Sequence, residues 1–90
     1  MNSAELRRLR IAIDSTDAAL VAVLVNRAGL SQKVAALNKK AGEKVVDEKR
    51  KKQLIATRTV LGKRKGLSPT FMRKLFKLIH DESVRIQKKI

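Results

Sequence analysis

The chain has 90 residues, no Cys and one His, which excludes a disulfide-stapled domain and a zinc site built from Cys or His. Its 22 Lys and Arg against 8 Asp and Glu give a formal net charge of +14, which favours anionic partners without choosing among them. No stretch approaches the ~18 uninterrupted apolar residues of a membrane span, and the N-terminus lacks the apolar core of a signal peptide. We therefore expect one cytoplasmic domain over residues 1–90, with no metal, no cofactor and no membrane contact.

The first predicted element is a long amphipathic helix from about Ser3 to Lys40. Asn2 and Glu5 fit a capping box at its start. Gly29 weakens the helix by roughly 1 kcal/mol, but no neighbouring Pro or Asn makes a turn there. The apolar residues recur at steps of three and four, which is the helical period; they are Leu6, Leu9, Ile13, Leu20, Leu24, Leu30, Val34 and Leu37.

Two shorter helices are predicted after the first. Asp47 is a suitable N-cap for a helix over about Glu48–Arg64, which Gly66 would end. Ser68–Pro69 is a strong start for a third helix, with Ser as the N-cap and Pro in the first turn, running to near Lys88. Nothing has the alternation of a strand, so the predicted fold class is all-α with three helices.

The length of the first predicted helix points to a second chain. About 38 residues at 1.5 Å each span roughly 57 Å, whereas a compact globule of this size has a radius of gyration near ~12 Å. One protomer cannot cover such an apolar stripe by itself. We therefore expect an intertwined helical homodimer.

Several polar residues interrupt the apolar faces of these helices. Arg27 and Asn38 are eleven residues apart, which places them on one helix face roughly 16 Å from each other. On the third helix Ser83 and Gln87 are four apart. Each has a structural interpretation as well, since a lone Arg often snorkels and buried polar groups are mostly satisfied structure. Together with Arg10 and Arg50 they predict an anion pocket inside a helical bundle.

Three stretches of the chain resemble the all-helical chorismate mutases. They are LRIAIDSTDAALVAVLVNR (9–27), Gly42 with VVDEKR (45–50), and GLSPTFMRKLFKLIHDESVRIQ (66–87). The resemblance covers essentially the whole chain without a gap, and the combination of these motifs at these separations is specific. It implies a three-helix protomer, an entwined homodimer with two identical sites, and a Claisen rearrangement of chorismate to prephenate without metal, cofactor or covalent intermediate.

By position, the resemblance implies a role for six residues. Arg10 would reach a substrate carboxylate from the partner chain, and Arg27 would bind a carboxylate from its own chain. Arg50 and Ser83 would hold the remaining carboxylate and the reactive conformer. Asp47 would place the ring hydroxyl. Gln87 would donate to the ether oxygen, where negative charge develops; preorganised donors and carboxylate-binding Arg suit such a rearrangement, which needs no nucleophile or general base.

Two positions depart from the family pattern. Asn38 stands where the family carries a catalytic Lys, nine residues before Asp47, and Lys51 stands where it usually carries Glu. One interpretation is that Lys51 compensates by placing its ammonium near the ether oxygen or the hydroxyl. In a second, Lys39 reaches in after a local register shift, and in a third the pocket has changed substrate or lost catalysis. Lys51 also fits a solvated position on the helix surface.

Two other functions remain compatible with the sequence. An isochorismate pyruvate-lyase, or another enzyme for a chorismate-type substrate, would use the same scaffold, with cations available at Lys39, Lys40 and Lys44. A non-catalytic basic dimer that binds an acidic partner or nucleic acid is supported by charge alone. It is disfavoured because the chain has two Phe and no Tyr or Trp for base stacking, and because it leaves Ser83 and Gln87 unexplained.

Overall fold

The computed structural model describes residues 3–43 and 47–90, and within these ranges the secondary structure is entirely helical. The helices are α1 (Ser3–Ala41), α2 (Glu48–Arg64) and α3 (Pro69–Lys88). The predicted all-α class is therefore confirmed, and α2 and α3 have the bounds that the sequence predicts. Two residues with predicted roles, the cap Asn2 and the cation Lys44, lie outside the described residues. Among the helices described, none combines the length and apolar character needed to cross a membrane.

Side-chain caps start both shorter helices. The Oδ1 atom of Asp47 accepts a hydrogen bond from the backbone N of Arg50 at 3.0 Å. The Oγ atom of Ser68 accepts from the backbone N of Phe71 at 3.2 Å, and Pro69 occupies the first turn. Each cap satisfies a backbone donor that has no partner inside its helix. The predicted N-caps of α2 and α3 are thus confirmed.

Glycines in the left-handed conformation end α1 and α2. Gly66 has φ of +89°, and Leu67 N donates to Gly62 O at 2.9 Å. Gly42 has φ of +73°, and the corresponding bond runs from Glu43 N to the carbonyl of Asn38 at 2.8 Å. Both ends have the pattern of a Schellman motif, which a residue without Cβ adopts with little strain. Asn38 therefore lies in the last turn of α1.

The chain divides into two compact units, residues 1–30 and residues 31–90. Every described residue of the first unit is exposed or half-buried. Its apolar side chains are no exception, since Leu9, Ile13 and Leu20 each expose more than half of their surface. The predicted apolar stripe is thus present, but within this unit nothing covers it.

The second unit contains a small core between α2 and α3, which pack against each other. Leu54 of α2 and Met72 of α3 are buried there, and Ala35 near the end of α1 is buried as well. His80 is the largest polar side chain among the described buried residues, so it belongs to the packed part of this unit. Ser83 is buried on the same face of α3, so this packed face includes a polar residue of the candidate site.

Gly62 permits the close contact between α2 and α3. A Cβ added there would come within 2.6 Å of the Sδ and Cε atoms of Met72, whereas one added at Gly29 has no described atom within 4 Å. We expect Gly29→Ala to stabilise the protein by roughly 1 kcal/mol through helix propensity. Gly62→Ala has the same propensity gain, but overpacking against Met72 should make it about 1–3 kcal/mol less stable than Gly29→Ala.

Urea unfolding of both variants at equal protomer concentration measures this difference. Because a Met side chain adapts more readily than a branched one, the expected value lies toward the lower end of that range. Equal stability of the two alanine variants would contradict the close packing of Gly62 on Met72.

Candidate functional site

A buried chain of hydrogen bonds joins the end of α1 to α3. The Oγ atoms of Ser31 and Ser83 lie 2.6 Å apart, and both residues are buried. Gln87, one helical turn after Ser83, donates from Nε2 to Ser83 Oγ at 3.2 Å and is half-buried. The structure thus brings together two predicted site residues, Ser83 and Gln87, and adds Ser31, for which the sequence predicts no role.

The hydrogen bonds leave donor capacity in this cluster. An amide nitrogen carries two protons, and the bond to Ser83 uses one proton of the Gln87 amide. Among the described residues nothing accepts the second proton, so it can serve a group that lies beside α3. A preorganised neutral donor in a partly buried place stabilises an oxygen on which negative charge develops, because it need not be reoriented from water during the reaction.

The start of α2 positions two further predicted residues. Asp47 uses Oδ1 to cap the helix, and its capping partner is the backbone N of Arg50. The guanidinium of Arg50 is exposed and donates from Nη1 to Oε1 of Gln53 at 2.9 Å. An Arg carries five N–H donors in a planar fork. The bond to Gln53 therefore leaves several donors with which Arg50 can bind a carboxylate.

Lys51 lies in a groove between α2 and the second half of α3. The groove has a volume of about 450 Å³, and its lining is formed by Lys51, His80, Asp81, Val84, Arg85 and Lys88. Lys51 is half-buried there rather than fully solvated. Ser83, Gln87 and Asn38 are not part of this lining. Three of these six lining residues are cations, and Asp81 is the one carboxylate among them.

Arg85 in this groove is paired with a carboxylate on its own helix. Its Nε and Nη2 atoms both donate to Glu82, the second of these bonds at 2.8 Å. The hydrogen bond from Arg85 lowers the pKa of the Glu82 carboxyl, and the same bond raises the pKa of Arg85. Any stability from this pair is present above the ordinary pKa of Glu and is lost as pH falls through the lowered value. Both side chains are about half exposed, so solvent screening keeps the contribution small.

The end of α1 positions Asn38 and Lys39. Asn38 is half-buried and lies on the same helix face as the buried residues Ser31 and Ala35, seven and three residues earlier. Lys39 is exposed, and its Nζ donates to the carbonyl of Ile90 at 3.0 Å. Here the ammonium of Lys39 contacts the end of the chain, while the shorter amide of Asn38 occupies the position of the expected cation.

The two other predicted site residues lie in the first unit. Arg10 is exposed and Arg27 is half-buried. The roles that the resemblance implies for them, on either side of a dimer, remain predictions.

Residues 9–88 match the family of type II chorismate mutases. The chain belongs to this family. The resemblance stated from the sequence is thus confirmed. The chain is also 34% identical over 86 residues to a bifunctional chorismate mutase/prephenate dehydratase of Buchnera aphidicola subsp. Schizaphis graminum (strain Sg).

The alignment with the bifunctional relative covers the two chains unequally. It includes 96% of this chain but 22% of that protein. The chain thus spans about a fifth of the length of that relative.

Sequence reasoning missed one polar residue of the buried cluster, Ser31. A signal for it was present, because Ser31 lies seven residues before Asn38 and therefore on the same face of α1. A lone Ser on a long helix of mixed polar and apolar residues does not stand out without knowledge of its neighbour. Its burial against Ser83 is what identifies it.

Proposed function

We propose that this protein is a chorismate mutase that converts chorismate to prephenate by binding the folded conformer of the dianion. The observation that carries the proposal is the family match over residues 9–88, together with the Ser83–Gln87 pair on the packed face of α3. The reaction is intramolecular: the ether C–O bond breaks as a C–C bond forms. It therefore needs orientation and charge stabilisation rather than a nucleophile or a base.

Gln87 is the proposed donor to the ether oxygen. Its amide is held by the bond to Ser83, so the second N–H has a restricted direction. As the C–O bond lengthens, negative charge grows on the ether oxygen and the hydrogen bond from Gln87 strengthens. Only interactions that are stronger in the transition state than in the bound substrate accelerate the chemical step.

Three Arg residues and Ser83 are the proposed carboxylate ligands. Arg27 and Arg50 of one protomer, with Arg10 of the other, hold the two carboxylates, because a guanidinium binds a carboxylate through two parallel hydrogen bonds. Asp47 accepts from the ring hydroxyl through Oδ2, since the helix cap occupies Oδ1. The high positive charge of the chain assists the approach of a dianion.

The proposal includes a homodimer. It is supported by the exposed apolar side chains of the first unit, such as Leu9 and Ile13, which a single protomer leaves in water. Monomeric proteins rarely leave so many apolar side chains uncovered on one helix. A second copy of the chain would cover them and would bring Arg10 to the site of its partner.

Mixing two inactive variants tests the site and the dimer together. We expect Arg10→Ala and Arg27→Ala each to lower kcat/KM for prephenate formation by at least about 10²-fold, since each removes charge-assisted hydrogen bonds to a carboxylate. When the two variants are unfolded together and refolded, half of the dimers should be mixed. One of the two sites in a mixed dimer keeps both Arg residues, so about a quarter of the wild-type activity should return.

The same mixing of Arg27→Ala with Arg50→Ala is the matched control. Both residues are proposed to act in one site of the same protomer, so every site in a mixed dimer lacks one of them and activity should not return. Recovery in the control, or none with Arg10→Ala, would contradict the shared site. A wild-type protein that releases pyruvate from isochorismate and forms no prephenate would instead indicate the lyase.

A further inference from the structure

Ser31 contributes a buried hydroxyl to the candidate site. It is 6% exposed, and its Oγ lies 2.6 Å from that of Ser83. Ser31 belongs to α1, whereas Ser83 belongs to α3. If this position only filled space, Ala would serve as well, as it does at the buried Ala35 one turn later. The hydroxyl has therefore a specific neighbour on another helix.

The protons in this cluster can be counted. A Ser hydroxyl donates one hydrogen bond and accepts up to two. Ser83 already accepts one from Gln87. If Ser83 donates to Ser31, its single proton is used within the protein. If Ser31 donates to Ser83 instead, Ser83 accepts twice, and its own proton is released for another acceptor.

We propose that Ser31 is a positioning residue that turns Ser83 toward a bound carboxylate and thereby fixes the Gln87 amide. The inference rests on the proposed function. In the complex, Ser83 donates to the substrate carboxylate, Ser31 donates to Ser83, and Gln87 donates one N–H to Ser83 and the other to the ether oxygen. Each donor then has one acceptor, and the polarised chain holds its geometry more firmly than separate bonds would.

Substitutions at Ser31 separate this role from packing. Thr and Val have nearly the same shape, but only Thr keeps the hydroxyl. We expect Ser31→Val to have a kcat about tenfold below that of Ser31→Thr, with a smaller change in KM, because one neutral hydrogen bond that orients the donors is missing. In a Ser83→Ala background the two variants should have the same kcat, since Ser31 acts through Ser83.

Ser31→Ala in two backgrounds controls for overpacking by the methyl groups that Thr and Val add. Ser31→Ala removes the hydroxyl without adding volume, and it should lose about tenfold in kcat in the wild-type background and nothing in the Ser83→Ala background. Equal kcat for Ser31→Thr and Ser31→Val, with Ser31→Ala equal to wild type, would overturn the inference. So would a loss that persists when Ser83 is Ala, because it would show a role in packing.

Failure of the proposed function has a different signature. If the wild-type protein forms no prephenate, the proposed function is wrong, and the inference is decided by calorimetric titration with chorismate. Weaker binding by Ser31→Val than by Ser31→Thr would still support it. Equal binding by the two, or none by the wild type, would overturn it.

Discussion

Replacing Gln87 with Ala is expected to lower kcat for the rearrangement of chorismate about 10²–10³-fold, which is the loss typical of one donor to a developing oxyanion. The amide lies half-buried beside Ser83, which already holds one of its protons. Ala removes this donor. KM should change less, because the proposed carboxylate ligands are Arg residues elsewhere.

Steady-state kinetics beside thermal unfolding measure this effect. Gln32→Ala is the matched control, since it makes the same substitution at an exposed position of α1 to which no role in the site is assigned. If Gln87→Ala and Gln32→Ala have the same kcat, Gln87 is not the donor to the ether oxygen.

Gln87→Glu tests donation by residue 87 through the pH dependence of kcat/KM. A protonated Glu donates a hydrogen bond, whereas a carboxylate does not and also repels the dianion. Glu has an ordinary pKa of about 4.3. We therefore expect kcat/KM of this variant to fall about tenfold per pH unit above the pKa of the new carboxyl, and the wild type to show no such fall. A flat profile for the variant would contradict donation by residue 87.

The boundaries of α2 and α3 could be predicted from the sequence because they depend on local chemistry. Asp47 and Ser68 cap backbone donors three residues ahead, and Gly66 adopts the left-handed conformation that ends α2. Each of these effects acts within one turn of the chain. No knowledge of the tertiary structure is needed to anticipate them.

The composition of the core and of the site could be predicted only in part. Ser83 and Gln87 stand out because polar residues interrupt an apolar face of α3, but Ser31 does not, because its partner is 52 residues away in sequence. The contact between Gly62 and Met72 is non-local in the same way. Hydrophobic periodicity indicates which face is packed, whereas the neighbour across the interface depends on the whole fold.

The largest difference from the family pattern remains the missing cation at Asn38. Asn38 lies in the last turn of α1, half-buried, and its backbone carbonyl accepts from Glu43. This capping bond uses main-chain atoms alone, so the side chain at position 38 takes no part in it. A cation near a helix C-terminus is also favoured by the helix dipole. A Lys at position 38 therefore suits the end of α1 electrostatically.

Asn38→Lys is expected to raise kcat/KM about 10–10²-fold over the wild type. A charge-assisted hydrogen bond is roughly twice as strong as a neutral one, and the added charge acts most where the transition state is most polarised. Prephenate formation at saturating and at low chorismate separates kcat from KM. An unchanged or lower kcat/KM would contradict the idea that Asn38 weakens this enzyme.

Combining Asn38→Lys with Lys51→Ala tests whether the two departures from the family pattern, at positions 38 and 51, are linked. If Lys51 compensates for Asn38, Lys51→Ala should lower kcat/KM about 10-fold or more in the wild type and much less in Asn38→Lys, because the new cation replaces the lost one. Lys52→Ala, an equal loss of charge at an exposed neighbour on α2, is the control for long-range electrostatics. Equal effects of Lys51→Ala on kcat/KM in both backgrounds would show that the two positions act independently. No effect in either background would show that Lys51 lines the groove but takes no part in catalysis. Coupling between positions 38 and 51 would mean that a cation on α2 performs the role that the family assigns to a cation on α1.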